Sequence, residues 1–463
     1  MRFKLQLVVE SAGRCPVVTE LLRIERNGMD AGNLGLHLQE ARELLGQFQT
    51  HMVAAQVEDY VERAGQCPHC QRKLGCKGHH DIVYRTVFGT LRLDSPRLYH
   101  CPACHQKRTN FSPLAQCLTT RSSPELQYLQ TKFAAPMSYG LTVDILSEVL
   151  PLDNTLAPTS VRRWAQQTAV RLEQSHREID TDRNTVLNTQ PTIPPRSPVK
   201  AIGIDGGYIR RAGVTHRNEG WFEVIVGKSQ REDTSGGCYA YVHCLEHDPP
   251  KRMRRFLDHE GIKSRPVTFL SDGGDTVRQA QFGHQLFGEW LLDWFHIGVR
   301  FQHLVQLAKG LTEGAEGPTK QELIKDILRA KWHLWHGCAF RALQRLERMT
   351  WEIDIWEESP EKAKLAAKLD EAYTFFHRNQ AFIVNYGDRY RHGEPIASSF
   401  VESAVNQVVS KRFVKKQQMA WSDRNAHHLL QVRTAVLNDE LRKHFKTWYP
   451  SMAANTGTIK KAA

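Results

Sequence analysis

The chain has 463 residues, 41% of them hydrophobic, with a formal net charge of +12 and a pI of about 9.2. That length holds about two to four domains, the apolar content excludes a disordered chain, and the charge favours a polyanionic partner, most simply nucleic acid. No apolar stretch approaches the roughly 20 residues that span a bilayer, so no membrane partner is expected.

The start, Met1–Glu10, alternates like a strand and lacks the apolar core of a signal peptide. The expected location is the cytoplasm, at the nucleoid, where ten cysteines are metal ligands or buried thiols rather than disulfides. Residues 33–63 follow as an amphipathic helix in which Leu34, Leu38, Ala41, Leu45, Phe48 and Met52 recur at spacings of three or four. Packing against a neighbouring domain is the expected use of that stripe, with a short coiled-coil contact as the alternative.

Between residues 64 and 118 the chain reads Cys67-Pro68-His69-Cys70, two strand-like runs joined at Gly89, then Cys101-Pro102-Ala103-Cys104. Two Cys-x-x-Cys knuckles around a hairpin predict a zinc ribbon, with Cys67, Cys70, Cys101 and Cys104 closing one structural Zn²⁺ site. Cys76, His79, His80, His100 and His105 are surplus ligands that could exchange into it. Arg85, Arg92 and Arg97 are candidate phosphate contacts on the hairpin.

Residues 119–173 read as three helices. The second ends before Pro151-Leu152-Asp153-Asn154, and the third starts at Pro158 with Arg162 and Arg163 in its first turns. This is a helix-turn-helix-like pattern, with those arginines as candidate DNA contacts. Pro136 interrupts the module. Residues 174–198 are polar and Pro-rich and are expected to be a linker.

From 199 to 440 the character changes, and residues 441–463 are left as an uninformative tail. The expected order is β-β-β-α-β-α-β, that of a ribonuclease-H-like sheet, with a helical insertion at about 298–390. The fold class is therefore multidomain, mixing α+β and α/β parts. Asp205 ends the apolar run Val199–Ile204, Asp272 ends Val267–Ser271, and Glu402 lies early in a helix that turns basic through Lys411, Arg412, Lys415 and Lys416. Three carboxylates from separate elements suit hard divalent cations, and two Mg²⁺ ions about 3.5–4 Å apart, with Mn²⁺ as a substitute, serve in-line phosphodiester chemistry. Each acid alone is more commonly a turn or cap residue. Asp275 and Asp293 are rivals for the second position, because both fall close to strand ends. Glu402 and Asn406, four apart, share a helix face, and the basic run beside them is a candidate path for the DNA backbone. Asp293 and His296 form an Asp-x-x-His pair after the last strand, accessory to the site.

Several segments together resemble bacterial insertion-sequence transposases of the Kra-four type and, more distantly, Mutator-like transposases. They are Ile204-Asp205-Gly206-Gly207-Tyr208, Leu270–Gly273, Leu292–Ile297, Lys331–Gly337, Glu402–Asn406 and Gln418–Ser422. The resemblance runs from about residue 33 to about residue 437. It implies a metal-dependent DDE transposase that cuts transposon ends and joins them to target DNA, with Asp205, Asp272 and Glu402 as the catalytic acids. It also implies that Asp293 and His296 match an Asp-or-Cys-x-x-His signature, and that the amino-terminal modules recognise terminal inverted repeats. A homodimer or higher oligomer on DNA is expected, since two ends must be paired. Two other readings remain: a transposase-derived DNA-binding protein without mobility, and a structure-selective nuclease of the same fold.

Overall fold

The structure, a computed structural model, describes residues 1–10, 15–105, 109–152, 156–183, 198–214, 220–232, 236–262, 267–281, 288–311, 318–414 and 419–454. It is a multidomain protein of mixed helix and sheet. Two compact units divide the chain: Met1–Leu172 with Asp439–Ala463, and Glu173–Asn438.

In the first unit, β1 (Arg2–Val9) and β2 (Val17–Glu25) form an antiparallel hairpin, and α1 (Leu38–Ala64) follows. Val53, Val57 and Val61 of α1 pack on Ile82, Leu91 and Leu93 of a second hairpin, β3 (Cys76–Thr86) and β4 (Gly89–Tyr99). Leu38, Leu45 and Phe48, the expected apolar stripe, remain exposed instead. The short β5 (Asn110–Phe111) pairs with β4, and α2 (Pro113–Cys117) closes this part.

Three helices come next: α3 (Pro124–Ala134), α4 (Tyr139–Val149) and α5 (Pro158–Arg183). Ser123 and Ser138 cap α3 and α4 by accepting from the backbone N–H groups of Leu126 and Leu141. Ala134, Val161 and Ala165, with Tyr139 and Val143, form their shared core. Pro136 falls in the α3–α4 turn, where it breaks nothing. Residues 174–183, expected as linker, continue α5 as helix, while residues 184–197 of that linker and the turn residues Asp153 and Asn154 lie outside the described residues.

The second unit holds a five-stranded sheet of β6 (Val199–Arg210), β7 (Trp221–Arg231), β8 (Cys238–Val242), β9 (Val267–Ser271) and β10 (Gly288–Leu292), ordered β10-β9-β6-β7-β8. β6, β7 and β8 run antiparallel, whereas β9 and β10 lie parallel to β6. One face of the sheet packs on α6 (Pro249–His259) and α7 (Asp275–Gln281), through Ile202, Ile204, Met253, Phe256 and Val277. The other packs on α13 (Ser399–Val405), the π-helix Asn406–Val414 that continues it, and α14 (Asp423–Leu437). Strands buried on both faces read as near-continuous apolar runs.

Between β10 and α13 stand α8 (Trp294–Gly310), α9 (Lys320–Trp335), α10 (Ala339–Asp354), α11 (Pro360–Arg378) and α12 (Tyr386–Arg391). They enclose a core of their own, from Ile297 and Phe301 through Leu334, Leu346 and Leu369 to Tyr386.

The expected tail does not behave as one. Residues Leu441–Trp448 form α15 and return to α3 in the first unit. Phe445 meets Tyr128 edge-on at 5.5 Å, Arg442 pairs with Glu125, and Arg171 stands 4.5 Å over the Trp448 ring. A four-residue helix, α16 (Ser451–Ala454), ends the described chain. No helix among the described residues is long and apolar enough to cross a membrane.

Candidate active site

Strand register places the acids. Ile204 on β6 pairs with Ser271 on β9, and Ser271 with Leu292 on β10. The next residues are Asp205, Asp272 and Asp293, so three acids stand at one level on three adjacent strands. Side chains alternate along a strand. With Ile202 and Ile204 facing α6 and α7, Gly203, Asp205 and Gly207 face α13.

Those two glycines bring the third acid in. A Cβ on Gly203 would lie 2.8 Å from Cβ of Val401, and one on Gly207 would lie 3.2 Å from Cγ1 of Val405. Helix α13 therefore rests directly on the β6 backbone, and Glu402, the residue after Val401, arrives beside Asp205. Asp205 is 9% exposed, and Asp272 and Glu402 are half-buried.

Their electrostatics show the proximity. Burial pushes the Asp205 carboxyl up to about 6; His296 opposes that shift, and Asp272 and Glu402 add to it. Burial also raises Glu402, against the pull of His296 and with the repulsion of Asp293. Local hydrogen bonds fix the acids: Gly206 N donates to Asp205 Oδ1 at 2.8 Å, and Gly274 N to Asp272 Oδ1 at 2.9 Å. Gly273 between them adopts φ +79°, the left-handed conformation glycine tolerates. Asp275, the rival, is the first residue of α7.

Asp293 is fully buried and does a different job. Its Oδ1 accepts from Phe295 N at 2.9 Å, capping α8, and from Ser398 N at 3.1 Å, while Ser398 Oγ donates to Oδ2. Burial raises its carboxyl above the ordinary value, with the Ser398 and Phe295 hydrogen bonds opposing. The chain leaves the sheet at Asp293 and comes back to the same carboxylate at Ser398, immediately before α13. Trp294 N also donates to Ile396 O at 3.0 Å, and the Tyr386 hydroxyl to Leu292 O at 2.7 Å. Asp293 is thus the clasp that closes the helical insertion and aims Glu402. His296 Nε2 lies 3.6 Å from Asp293 Oδ2, beyond hydrogen-bond reach. Asn406 caps α13, its N–H donating to the Glu402 and Ser403 carbonyls.

The basic run after Glu402 divides. Lys411 is exposed, and Lys415 and Lys416 lie outside the described residues. Arg412 corrects the expectation of a phosphate contact. It is 1% exposed, with its guanidinium 5.2 Å over the Trp421 ring. Arg412 stands four residues on from Val408 and turns inward with Val408, Val409 and Phe413 on the buried side of the helix. Neighbouring Arg433, also buried, donates to Val408 O at 2.7 Å. Arg162 and Arg163 are exposed on α5, Arg163 lying 5.2 Å over the Trp164 ring.

Cys67, Cys70, Cys101 and Cys104 gather with all four sulfurs within 4.8 Å of one another, a set compatible with a zinc site. Among the described residues no other set of three or more cysteine, histidine or acidic side chains is drawn together so closely, the carboxylate trio included. Each knuckle folds back on itself: Cys67 O accepts from Gln71 N at 2.8 Å, and Cys101 O from His105 N at 2.9 Å. Gln71 takes φ +54° to make the turn. Backbone N–H groups of Cys70 and His69 lower the Cys67 thiol to about 6, whereas the Cys70 sulfur, burial and the Cys67 and Cys101 sulfurs push Cys104 up to about 12. Among the surplus ligands, His79 and His100 have other contacts. His79 pairs with Asp94 at 2.7 Å, and His100 stacks between His105 and Phe111.

Sequence reasoning missed Ser398, Gly203 and Gly207. The glycines carried a readable signal, since they sit two residues either side of Asp205, on its own face of the strand. Comparison with protein-family models finds no match to the chain, and comparison with curated proteins finds no significant match.

Proposed function

We propose that this chain is a DDE-type DNA transposase resembling the Kra-four insertion-sequence group, cutting transposon ends and joining them to target DNA. The observation that carries the reading is the convergence of Asp205, Asp272 and Glu402, one from the middle of β6, one from the end of the adjacent β9 and one from a helix seated on Gly203 and Gly207. The strand order, three antiparallel strands followed by two parallel ones, supports a ribonuclease-H-like catalytic domain.

The donor set fits Mg²⁺ or Mn²⁺: it is all oxygen, and the Asp205 carboxyl is raised by its acidic neighbours Asp272 and Glu402. Two such ions, when bound, would activate the attacking oxygen and stabilise the leaving one. Asp205, Asp272 and Glu402 would hold them. Asp293 keeps the Glu402 helix in place, and His296 stands beside the acids. A 3′-hydroxyl freed by the first cut would serve as the nucleophile for joining. The four cysteines hold one structural Zn²⁺ in a closed site. DNA, as terminal inverted repeats and as target, is the partner, with Arg162, Arg163 and Lys411 on exposed surfaces. Pairing of two ends requires a homodimer or larger assembly.

The test is cleavage and joining of labelled element-end DNA with Mg²⁺. Wild type cleaves and joins; Glu402→Gln does neither. Absence of metal-dependent cleavage by the wild type refutes the enzyme and leaves a DNA-binding descendant. Cleavage without joining identifies a nuclease of the same fold.

A further inference from the structure

A groove of ≈ 520 Å³ runs between α8 and α9, and its near end, at Trp294 and Phe295, adjoins His296, the neighbour of Asp205 and Glu402. Phe295, Gln302, Gln306 and Lys309 follow one another along one stripe of α8 and line it, and Lys331 of α9 faces them. The stripe starts two residues after Asp293. From Phe295 to Lys309 it extends about 21 Å, the span of about six stacked nucleotides.

The lining has a consistent chemistry. It contains two lysines, two carboxamides and aromatic rings, and no carboxylate. Lys331 Nζ stands 5.7 Å over the Trp294 ring. Phe295 is 40% exposed at the end nearest His296, whereas Ile297, Phe301 and Leu304 of the same helix are buried. Cations that track phosphates, a ring for stacking and amides for base edges are what unpaired nucleotides require, whereas a duplex hides its ring faces.

We infer that this groove binds a single strand of DNA, with phosphates at Lys309 and Lys331 and a base stacked on Phe295. That the strand is continuous with the one presented to Asp205, Asp272 and Glu402 rests on the transposase reading; strand binding in the groove does not. The acids repel phosphate until cations arrive, so an adjacent acid-free track holds the strand without depending on them.

The experiment measures fluorescence anisotropy of a labelled oligothymidylate of about twelve nucleotides with the full chain in buffer without Mg²⁺ or Mn²⁺. Wild type binds it. Lys309→Gln/Lys331→Gln binds about tenfold more weakly, and its log–log salt dependence is shallower by about 1.4, two phosphate contacts at about 0.7 each. Phe295→Ala binds about tenfold more weakly at unchanged salt dependence. Three results overturn the inference: no binding by wild type, equal binding by both variants, or a duplex of the same length competing as well as the single strand. Cleavage of a blunt labelled end by wild type and Glu402→Gln, run in parallel with Mg²⁺, reports on the acids alone. Intact cleavage with variant-insensitive strand binding therefore sinks the groove and not the enzyme; the opposite pattern sinks the enzyme and not the groove.

Discussion

Replacing Gly203 with alanine measures how closely the Glu402 helix must approach the Asp205 strand. The added Cβ would stand 2.8 Å from Cβ of Val401 and 3.0 Å from both Cγ1 of Val401 and Cζ of Phe400. Carbon atoms settle at about 3.5–4.0 Å, so α13 must retreat by about 0.7–1.2 Å. Overpacking of this kind costs about 1–3 kcal/mol, offset by about 0.5–1 kcal/mol because alanine loses less backbone freedom than glycine in a strand. Net destabilisation of about 1–2 kcal/mol is expected in urea unfolding. The loss of cleavage should be larger in proportion, about 100-fold, because a 1 Å misplacement of a catalytic group costs about that much. Gly207→Ala, whose Cβ would meet Cγ1 of Val405 at 3.2 Å, should do less on both counts. Wild-type stability and cleavage in Gly203→Ala, or greater damage from Gly207→Ala, would refute this account of how Glu402 is delivered.

Metal analysis of purified protein should find about one zinc per chain, lost in Cys101→Ser; a folded, zinc-free chain would rule the site out. Glu260 and Arg231 form a buried pair at 2.9 Å, and although burial alone would raise the Glu260 carboxyl, His259, Ser229 and Arg231 hold it at about 2, below its ordinary 4.5. Its contribution is therefore present above pH 4.5 and lost as pH falls towards 2. Glu260→Gln should cost about 3 kcal/mol at neutral pH, with the gap to wild type narrowing near pH 3; an equal gap at both pH values contradicts the pairing. Asp293→Ala removes both the α8 cap and the Ser398 anchor, so backbone amides of 399–405 should exchange faster with solvent and cleavage should fall. Unchanged exchange there would show that the clasp is dispensable.

Local patterns were the legible part of this chain. Two Cys-x-x-Cys pairs around a hairpin announce their cluster because the ligands sit at fixed offsets from turns. Asp205 and Asp272 stand out because an apolar run ends at each. What was hidden is long-range. Asp293 and Ser398 are separated by the whole helical insertion, and only packing reveals that one carboxylate holds both ends of it. Arg412 was misplaced for another reason: its charge argued for solvent, although it stands four residues on from Val408 and shares that buried side of the helix. Leu441, Phe445 and Trp448 recur at helical spacing within the presumed tail, yet nothing local says that α3 is their partner.

The return of α15 to α3 also sets a timetable. The first unit draws Met1–Leu172 from one part of the chain and α15 from beyond residue 438, so it cannot be completed while the ribosome is still making what lies between. At about 5–20 residues per second, roughly 15–50 s separate the emergence of the two parts. Through that interval the α3 surface that receives Phe445 has no cover, while Glu173–Asn438 is emerging and can fold. A stop after residue 438 would spare the sheet and its acids and injure the amino-terminal helices, damage appearing hundreds of residues upstream of the lesion.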